Sequence, residues 1–348
     1  MKAPYENISF NHELMENLSQ LIGVSGYETP VRNYIKELVK PLCDEVIVDA
    51  IGNVIAIKYA NVENPDKKRI MFAAHTDEIG FQVTKVNPDG TLMVKNMGWD
   101  FIHTSYQSRV MFRNGVTGVV SARCKPENLN GDRNNLFIDI GCSSKEATEK
   151  YVNIGDVCCF VGPYVKMQDG YLSTKAIDDR IGCYMQIEAL KNLQGREIKN
   201  DLYFAFTVQE EVGCRGGHTA AARILPDMGF ALDVTPGQDR PGDLEGSNTM
   251  GIGCAIKISD TSVICDEQIN EVLFGLCKEY DIPYQKEVLS VGGTDASAIN
   301  QSGFGARAAA ISVVTRYAHG PNTLLNENDT NAAVALLTEA CCAVYRFE

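Results

Sequence analysis

The sequence predicts an α/β protein: a mixed, largely parallel sheet sandwiched by helices, into which a small β-barrel-like domain is inserted. Three observations predict it. Apolar strand-like runs alternate with helical periods early and late in the chain, the pattern that builds a sheet covered on both faces. Between about residues 78 and 166 that texture is lost, and short strands with turns at Asn87-Pro88-Asp89-Gly90, Arg113-Asn114-Gly115 and Asn130-Gly131-Asp132 take over. The 348 residues, 45% hydrophobic and 22% charged, fit two domains. The expected division is a discontinuous α/β domain, 1–76 with 167–348, around an inserted β-rich domain, 77–166.

An amphipathic helical period covers about 11–39, interrupted at Gly23-Val24-Ser25-Gly26, and Pro30 suits the first turn of its second half. A hairpin follows, with strands 46–49 and 54–57 flanking Ile51-Gly52-Asn53. The continuous apolar run 70–74 is of the kind found mid-sheet. After the insertion the expected order is helix 179–193, strand 202–208, helix 217–225, strand 229–234, helix 267–280, strand 308–314 and helix 329–345.

Asp and Glu total 45 against 32 Lys and Arg, a formal charge of −13 that repels phosphate backbones and anionic lipid headgroups. Nucleic acid and membranes are therefore poor partner candidates. The first eleven residues lack the basic patch and apolar run of a leader, and no stretch stays apolar long enough to span a bilayer. Twelve cysteines, several in apolar runs such as Val157-Cys158-Cys159-Phe160, read as reduced, buried thiols of a cytoplasmic protein. There is no CxxC pair to suggest a thiolate zinc site.

The chemistry-bearing residues gather after core strands. His75 follows the run 70–74, Glu210 and Glu211 follow 203–209, Asp233 closes 230–232, and His319 comes shortly after 309–314. Open α/β sheets bind ligands at that edge. Charged groups at the ends of buried strands are costly unless paired or coordinated, so four strands aiming His and carboxylate at one edge ask for a cation. Asp178-Asp179-Arg180, opening a helix, adds a further acidic pair. Singly, each has a plainer reading: a hydrogen-bonded loop His, a solvated Glu pair, a helix-capping Asp. Together they point to a metal site. His12, His103 and His218 match no motif and are expected in solvated or capping roles.

The segments Ala74-His75-Thr76-Asp77-Glu78-Ile79-Gly80, Ala176-Ile177-Asp178-Asp179-Arg180-Ile181-Gly182, Gln209-Glu210-Glu211-Val212-Gly213 and Gly292-Gly293-Thr294-Asp295-Ala296 resemble the TET family of tetrahedral metallo-aminopeptidases, some of whose members are described as glutamyl aminopeptidases or endoglucanases. Gly23-Val24-Ser25-Gly26-Tyr27-Glu28 and Arg316-Tyr317-Ala318-His319 are similar to that family too, so the likeness covers nearly the whole chain. It implies a zinc-peptidase-like fold and two zinc or cobalt ions held by His75, Glu211, Asp233 and His319, with Asp178 bridging. It also implies a cis bond between Asp178 and Asp179, and Glu210 as general base. Imidazole and carboxylate suit such ions, and a bridging carboxylate suits a pair about 3.5–4 Å apart. The inferred mechanism is attack of a metal-bridging water on the scissile carbonyl, with Glu210 taking the water's proton and returning it to the leaving amine. Asp77 is the expected partner that fixes the His75 tautomer.

Thr294 and Asp295 are candidates for substrate binding; alternatively Gly292-Gly293 is a tight turn whose Thr294 caps the next helix. Around His319 the chain departs from the family. Val314 stands where Pro usually precedes Thr-Arg-Tyr, and Gly320-Pro321-Asn322-Thr323 replaces Ser-Pro and a following Glu. The resemblance further implies peptide substrates, pairing through the inserted domain and a tetrahedral dodecamer. The Asn-rich run 127–135 is expected as a loop of that domain, mobile or simply exposed. Competing functions are a metal-dependent deacylase using the same water-activating centre, an endoglucanase, and a non-catalytic shell subunit. A glycosidase needs two carboxylates flanking its bond and no strand-end histidines, and a shell subunit could have shed its base or a ligand.

Overall fold

The computed structural model describes residues 8–99, 102–125, 128–129 and 135–347. The start of the chain up to residue 7 and most of the Asn-rich run 127–135 lie outside the described residues.

Four parallel strands form the middle of a large mixed sheet, in the order Asp201–Thr207, Arg69–His75, Met228–Pro236 and Arg307–Arg316. The hairpin Glu45–Val48 and Val54–Lys58 adds antiparallel to the first of them. On the other side, Thr323–Asn326, Tyr171–Thr174 and Val165–Lys166 extend the sheet antiparallel. Cys254–Ser259 and Tyr284–Val288, absent from the sequence expectation, branch from Arg307–Arg316. Their sequences hid them because Lys257 and Glu287, both fully buried, meet at 2.6 Å inside the fold and break the apolar pattern.

Both sheet faces are covered, as the unbroken apolar runs require. Phe72, Phe204 and Phe230 stack across adjacent strands, with centroids 5.1 and 5.2 Å apart, on the face packed by His12–Gln20, Thr29–Val39, Ile177–Asn192, Glu267–Glu279 and Glu327–Cys342. Burying each such ring contributes roughly 1.5–3 kcal/mol. Met71, Ala73, Ala205 and Ala231 point to the other face, under Arg215–Ile224 and Asp295–Asn300. The last helix starts two residues earlier than its apolar period predicts because Asn326 caps it through the Asn328 N–H, and Tyr345 packs beyond its end.

The insertion is a closed barrel in the order Gly80–Val86, Leu92–Met97, Leu136–Asp139, Thr117–Ala122, Arg109–Phe112 and Val157–Phe160. Phe81, Leu92, Val110, Phe112, Ile138 and Phe160 fill it. Its first strand begins five residues after His75, so the barrel stands directly over the carboxyl edge of the parallel strands. There Gly320 lets the two parts meet: a Cβ on it would lie 2.5 Å from Thr104 Cγ2 in the short helix Ile102–Ser105.

Candidate metal centre

The parallel strands all run toward one edge: His75 and Thr207 end their strands opposite each other, whereas Asp233, opposite Ser312, comes three residues before the end of Met228–Pro236, which runs on past the point where the sequence reading closed it. His75 is buried at its strand's end. Its Nδ1 lies 3.2 Å from the carbonyl oxygen of Asp77, which can only accept, so Nδ1 carries a proton and Nε2 is turned to the site. That Nε2 lies 3.0 Å from Asp178 Oδ1. His319 has the same arrangement: Nδ1 donates to the carbonyl oxygen of Trp99 in the barrel, and Nε2 lies 3.1 Å from Asp178 Oδ2. One carboxylate therefore faces both imidazoles, an oxygen to each. The Asp178–Asp179 bond is cis.

Glu210 and Glu211 follow Thr207 through a turn in which Gln209 takes a positive φ of 56°. Asp77 secures that turn by accepting the N–H groups of Glu210 at 3.0 Å and Glu211 at 3.2 Å, and the Ser25 hydroxyl at 2.6 Å. Glu28 accepts the N–H of Gln209 at 3.2 Å. Asp77 thus touches His75 through its carbonyl, while its carboxylate, 3.5 Å from Nδ1, mainly serves the glutamate backbone. The two glutamates diverge as adjacent residues should: Glu210 Oε2 comes within 3.9 Å of His75, and Glu211 Oε2 within 4.0 Å of His319.

Two sets of donor atoms each lie within 4.8 Å of one another: His75, Asp178 and Glu211, and His75, Asp179 and Asp233. Asp179, to which the sequence reading gave no role, is fully buried and accepts the His75 N–H at 3.0 Å and the Gly182 N–H at 2.9 Å. Its only sequence signal was its place in the Asp178-Asp179-Arg180 motif.

A family profile described as M42 glutamyl aminopeptidase matches residues 52–336. The chain belongs to the M42 aminopeptidase family. A putative aminopeptidase from Acetivibrio thermocellus is 42% identical over 331 residues, 95% of this chain and 98% of that protein. The lysyl aminopeptidase of Pyrococcus furiosus is 31% identical over 93% and 94%. Among solved structures, the aminopeptidase APDkam598 of Desulfurococcus kamchatkensis superposes with a TM-score of 0.89 at 34% identity, covering 95% of this chain and 94% of that one. The TET1 peptidase of Pyrococcus horikoshii, described as assembling into a tetrahedron or a large octahedral shell, gives 0.82 at 32%, over 95% and 99%. The TET-like fold and family expected from the motifs are those found.

The M42 family is metal-dependent, and the residues at this edge fit divalent cations. With Nδ1 protonated, each Nε2 lone pair would confront a carboxylate oxygen unless a proton or a cation lies between. Donors about 2.0–2.2 Å from a shared ion stand roughly 3.0–3.5 Å apart, which matches both contacts of Asp178. Glu211 Oε1 is buried without a hydrogen-bond partner. Without ions the M42 site holds protons instead. Burial lowers the basicity of both histidines, but hydrogen bonds to Asp178 and Asp77 keep His75 well above its usual pKa, and Glu211 and Asp178 hold His319 up at about 10. Burial pushes Glu210 up to about 8, with Asp295 and Glu211 adding to it, and burial with Asp178 does the same to Glu211. Asp233 is raised well above the carboxylate range by burial and by Asp178. Asp178 is lowered despite its burial, because both histidines bond to it.

The cleft over this centre is lined by Ile79 and Phe160 from the barrel side and by Lys175, Asp178, Glu211, His319, Gly320 and Thr323. The replaced segment after His319 therefore forms part of its wall. Thr294 and Asp295 are both buried and do not line it. Thr294 caps the helix Asp295–Asn300 through the Ala296 N–H, the second of its two sequence readings, and Asp295 lies behind Glu210, bonded to the Thr207 hydroxyl at 2.6 Å. His12 is remote from the centre, 2.8 Å from the Tyr164 hydroxyl.

Proposed function

We propose that this M42 protein removes N-terminal residues from short peptides using two divalent ions, zinc or cobalt, held by His75, Asp178, Glu211, Asp233 and His319. The observation that carries the proposal is Asp178 facing both imidazoles, one carboxylate oxygen to each Nε2. When bound, the ions supply a polarised scissile carbonyl and an acidified water. Glu210 takes the proton from the attacking water and passes it to the leaving amine nitrogen. Asp77, held by Ser25, keeps the Glu210 backbone in place, and Asp295 stands behind it. Asp77 also orients His75, chiefly by its carbonyl. Thr294 serves this region as the cap of the Asp295 helix and not as a wall of the cleft.

Two further parts belong to the proposal. The chain self-associates through its barrel into dimers and a tetrahedral dodecamer; the named shell-forming relative supports assembly, and exposed Phe304 and Ile264, outside the barrel, support contacts beyond the dimer. It works in the reducing cytoplasm, which the twelve free cysteines support. Among the described residues no helix is long and apolar enough to cross a membrane.

The test is hydrolysis of aminoacyl p-nitroanilides with added zinc or cobalt. Activity that chelation abolishes supports the reading, and side-by-side leucyl, lysyl and glutamyl substrates give the preferred residue. Release from N-acyl substrates but from none of these would mean the deacylase instead, and release from cellulosic substrates alone the endoglucanase.

A further inference from the structure

We propose that Glu210, Cys214 and Asp295 form a third divalent-cation site, one that takes a thiophilic ion such as zinc or cadmium and inhibits the enzyme by occupying Glu210. Donor atoms of the three residues lie within 4.8 Å of one another, as a group separate from the two that share His75. Cys214 Sγ lies 3.0 Å from Glu210 Oε1. The second observation is Asp295. It is 3% exposed, its Oδ2 takes the Thr207 hydroxyl, and its Oδ1 is buried with no hydrogen-bond partner.

The orphaned oxygen is turned toward the helix that follows Cys214, Arg215–Ile224. A Cβ on Gly217, in the first turn of that helix, would lie 2.2 Å from Asp295 Oδ1, so only glycine permits this approach. Two carboxylates and a thiol converging in a largely buried place, with one oxygen unpaired, form an environment that a cation relieves. The donor types select the ion. Thiolate with carboxylate suits zinc and cadmium, whereas magnesium and calcium prefer oxygen alone.

Without the ion, Cys214 donates its thiol proton to Glu210. On binding, that proton leaves to solvent, the hydrogen bond is replaced by bonds from sulfur and carboxylate to the ion, and Glu210 can no longer accept a proton from water. The inhibitory consequence rests on Glu210 being the base, as proposed above. The cation site itself does not.

The experiment titrates cadmium into the enzyme loaded at its primary centre, for wild type, Cys214→Ala and Asp295→Asn, each compared with its own uninhibited rate. The ultraviolet thiolate-to-cadmium absorption is recorded in parallel. Loss of one ligand should raise the half-inhibiting concentration at least about 10-fold, and the first equivalent of thiolate absorption should vanish in Cys214→Ala. Equal inhibition and equal absorption in wild type and Cys214→Ala overturn the site. Absorption that depends on Cys214 without any inhibition leaves the site standing and overturns Glu210 as the base. The absorption arm stands even if no peptidase activity is found.

Discussion

His319 Nε2 and Asp178 Oδ2 meet at 3.1 Å in the lining of the cleft. The other oxygen of Asp178 faces His75 at 3.0 Å, so changing this one side chain alters the surroundings of both imidazoles at once. Asp178→Asn keeps the shape but replaces one anionic oxygen by an amide that cannot bind a cation. Elemental analysis should find fewer ions than the two proposed for the wild type, one or none, with kcat/KM lower by on the order of 10³-fold. Full retention of both ions would remove Asp178 from the bridging position.

Glu210→Gln separates binding from proton transfer. Gln has the same length and can still accept from Cys214, but it cannot take a proton. The expected outcome is kcat reduced roughly 10²–10⁴-fold with metal content and KM close to wild type. A variant that instead lost metal would make Glu210 a ligand.

Much of this site was legible because His75 and Asp233 each follow an unbroken apolar stretch, residues 70–74 and 228–232. His75 and Asp233 interrupt such runs, and nothing in the core could pair with them. Asp179 was not legible as a separate contributor, since adjacent aspartates look alike until the backbone shows one pointing at His75 N–H and the other at Nε2. Ser25 and Glu28 carried only the family likeness; their hydrogen bonds to Asp77 and the Gln209 N–H depend on a turn far away in sequence. The branch strands were hidden for the opposite reason to His75, a buried Lys257 and Glu287 where an apolar residue was expected.

The ion-free and ion-loaded proteins should differ in stability in a pH-dependent way. His319, raised to about 10, contributes stability that is complete below about 6.5 and lost as pH rises through 10. Glu210 and Glu211, raised from 4.5 to about 8, also bind more protons folded than unfolded, so they too weaken the ion-free fold as pH rises between those values. Cations displace the same protons and therefore bind more tightly at higher pH. The gap in Tm between loaded and chelated protein should widen from about pH 6 to about pH 9. A constant or narrowing gap would show that these groups do not hold the protons.

Lys175 and Glu78 test what holds one wall of the cleft together. The Lys175 ammonium contacts both oxygens of Glu78, at 2.9 and 2.8 Å, with both side chains almost fully buried. The Gly23 N–H donates to the same carboxylate at 3.0 Å, and Arg180 lies 3.5 Å from it while holding the carbonyl oxygens of Leu18, Leu21 and Thr76. Removing the ammonium leaves a buried carboxylate with one distant cation, which ordinarily costs about 3–5 kcal/mol. Arg180 offsets part of that, so Lys175→Met should lower stability by about 3 kcal/mol, read from urea unfolding of the loaded protein. Glu78→Gln added to Lys175→Met removes the stranded charge, and the double variant should recover stability relative to the single one. If the two unfold at the same urea concentration, the loss comes from packing around the lysine stem, and the ion pair is not what holds the Gly23 turn against the barrel.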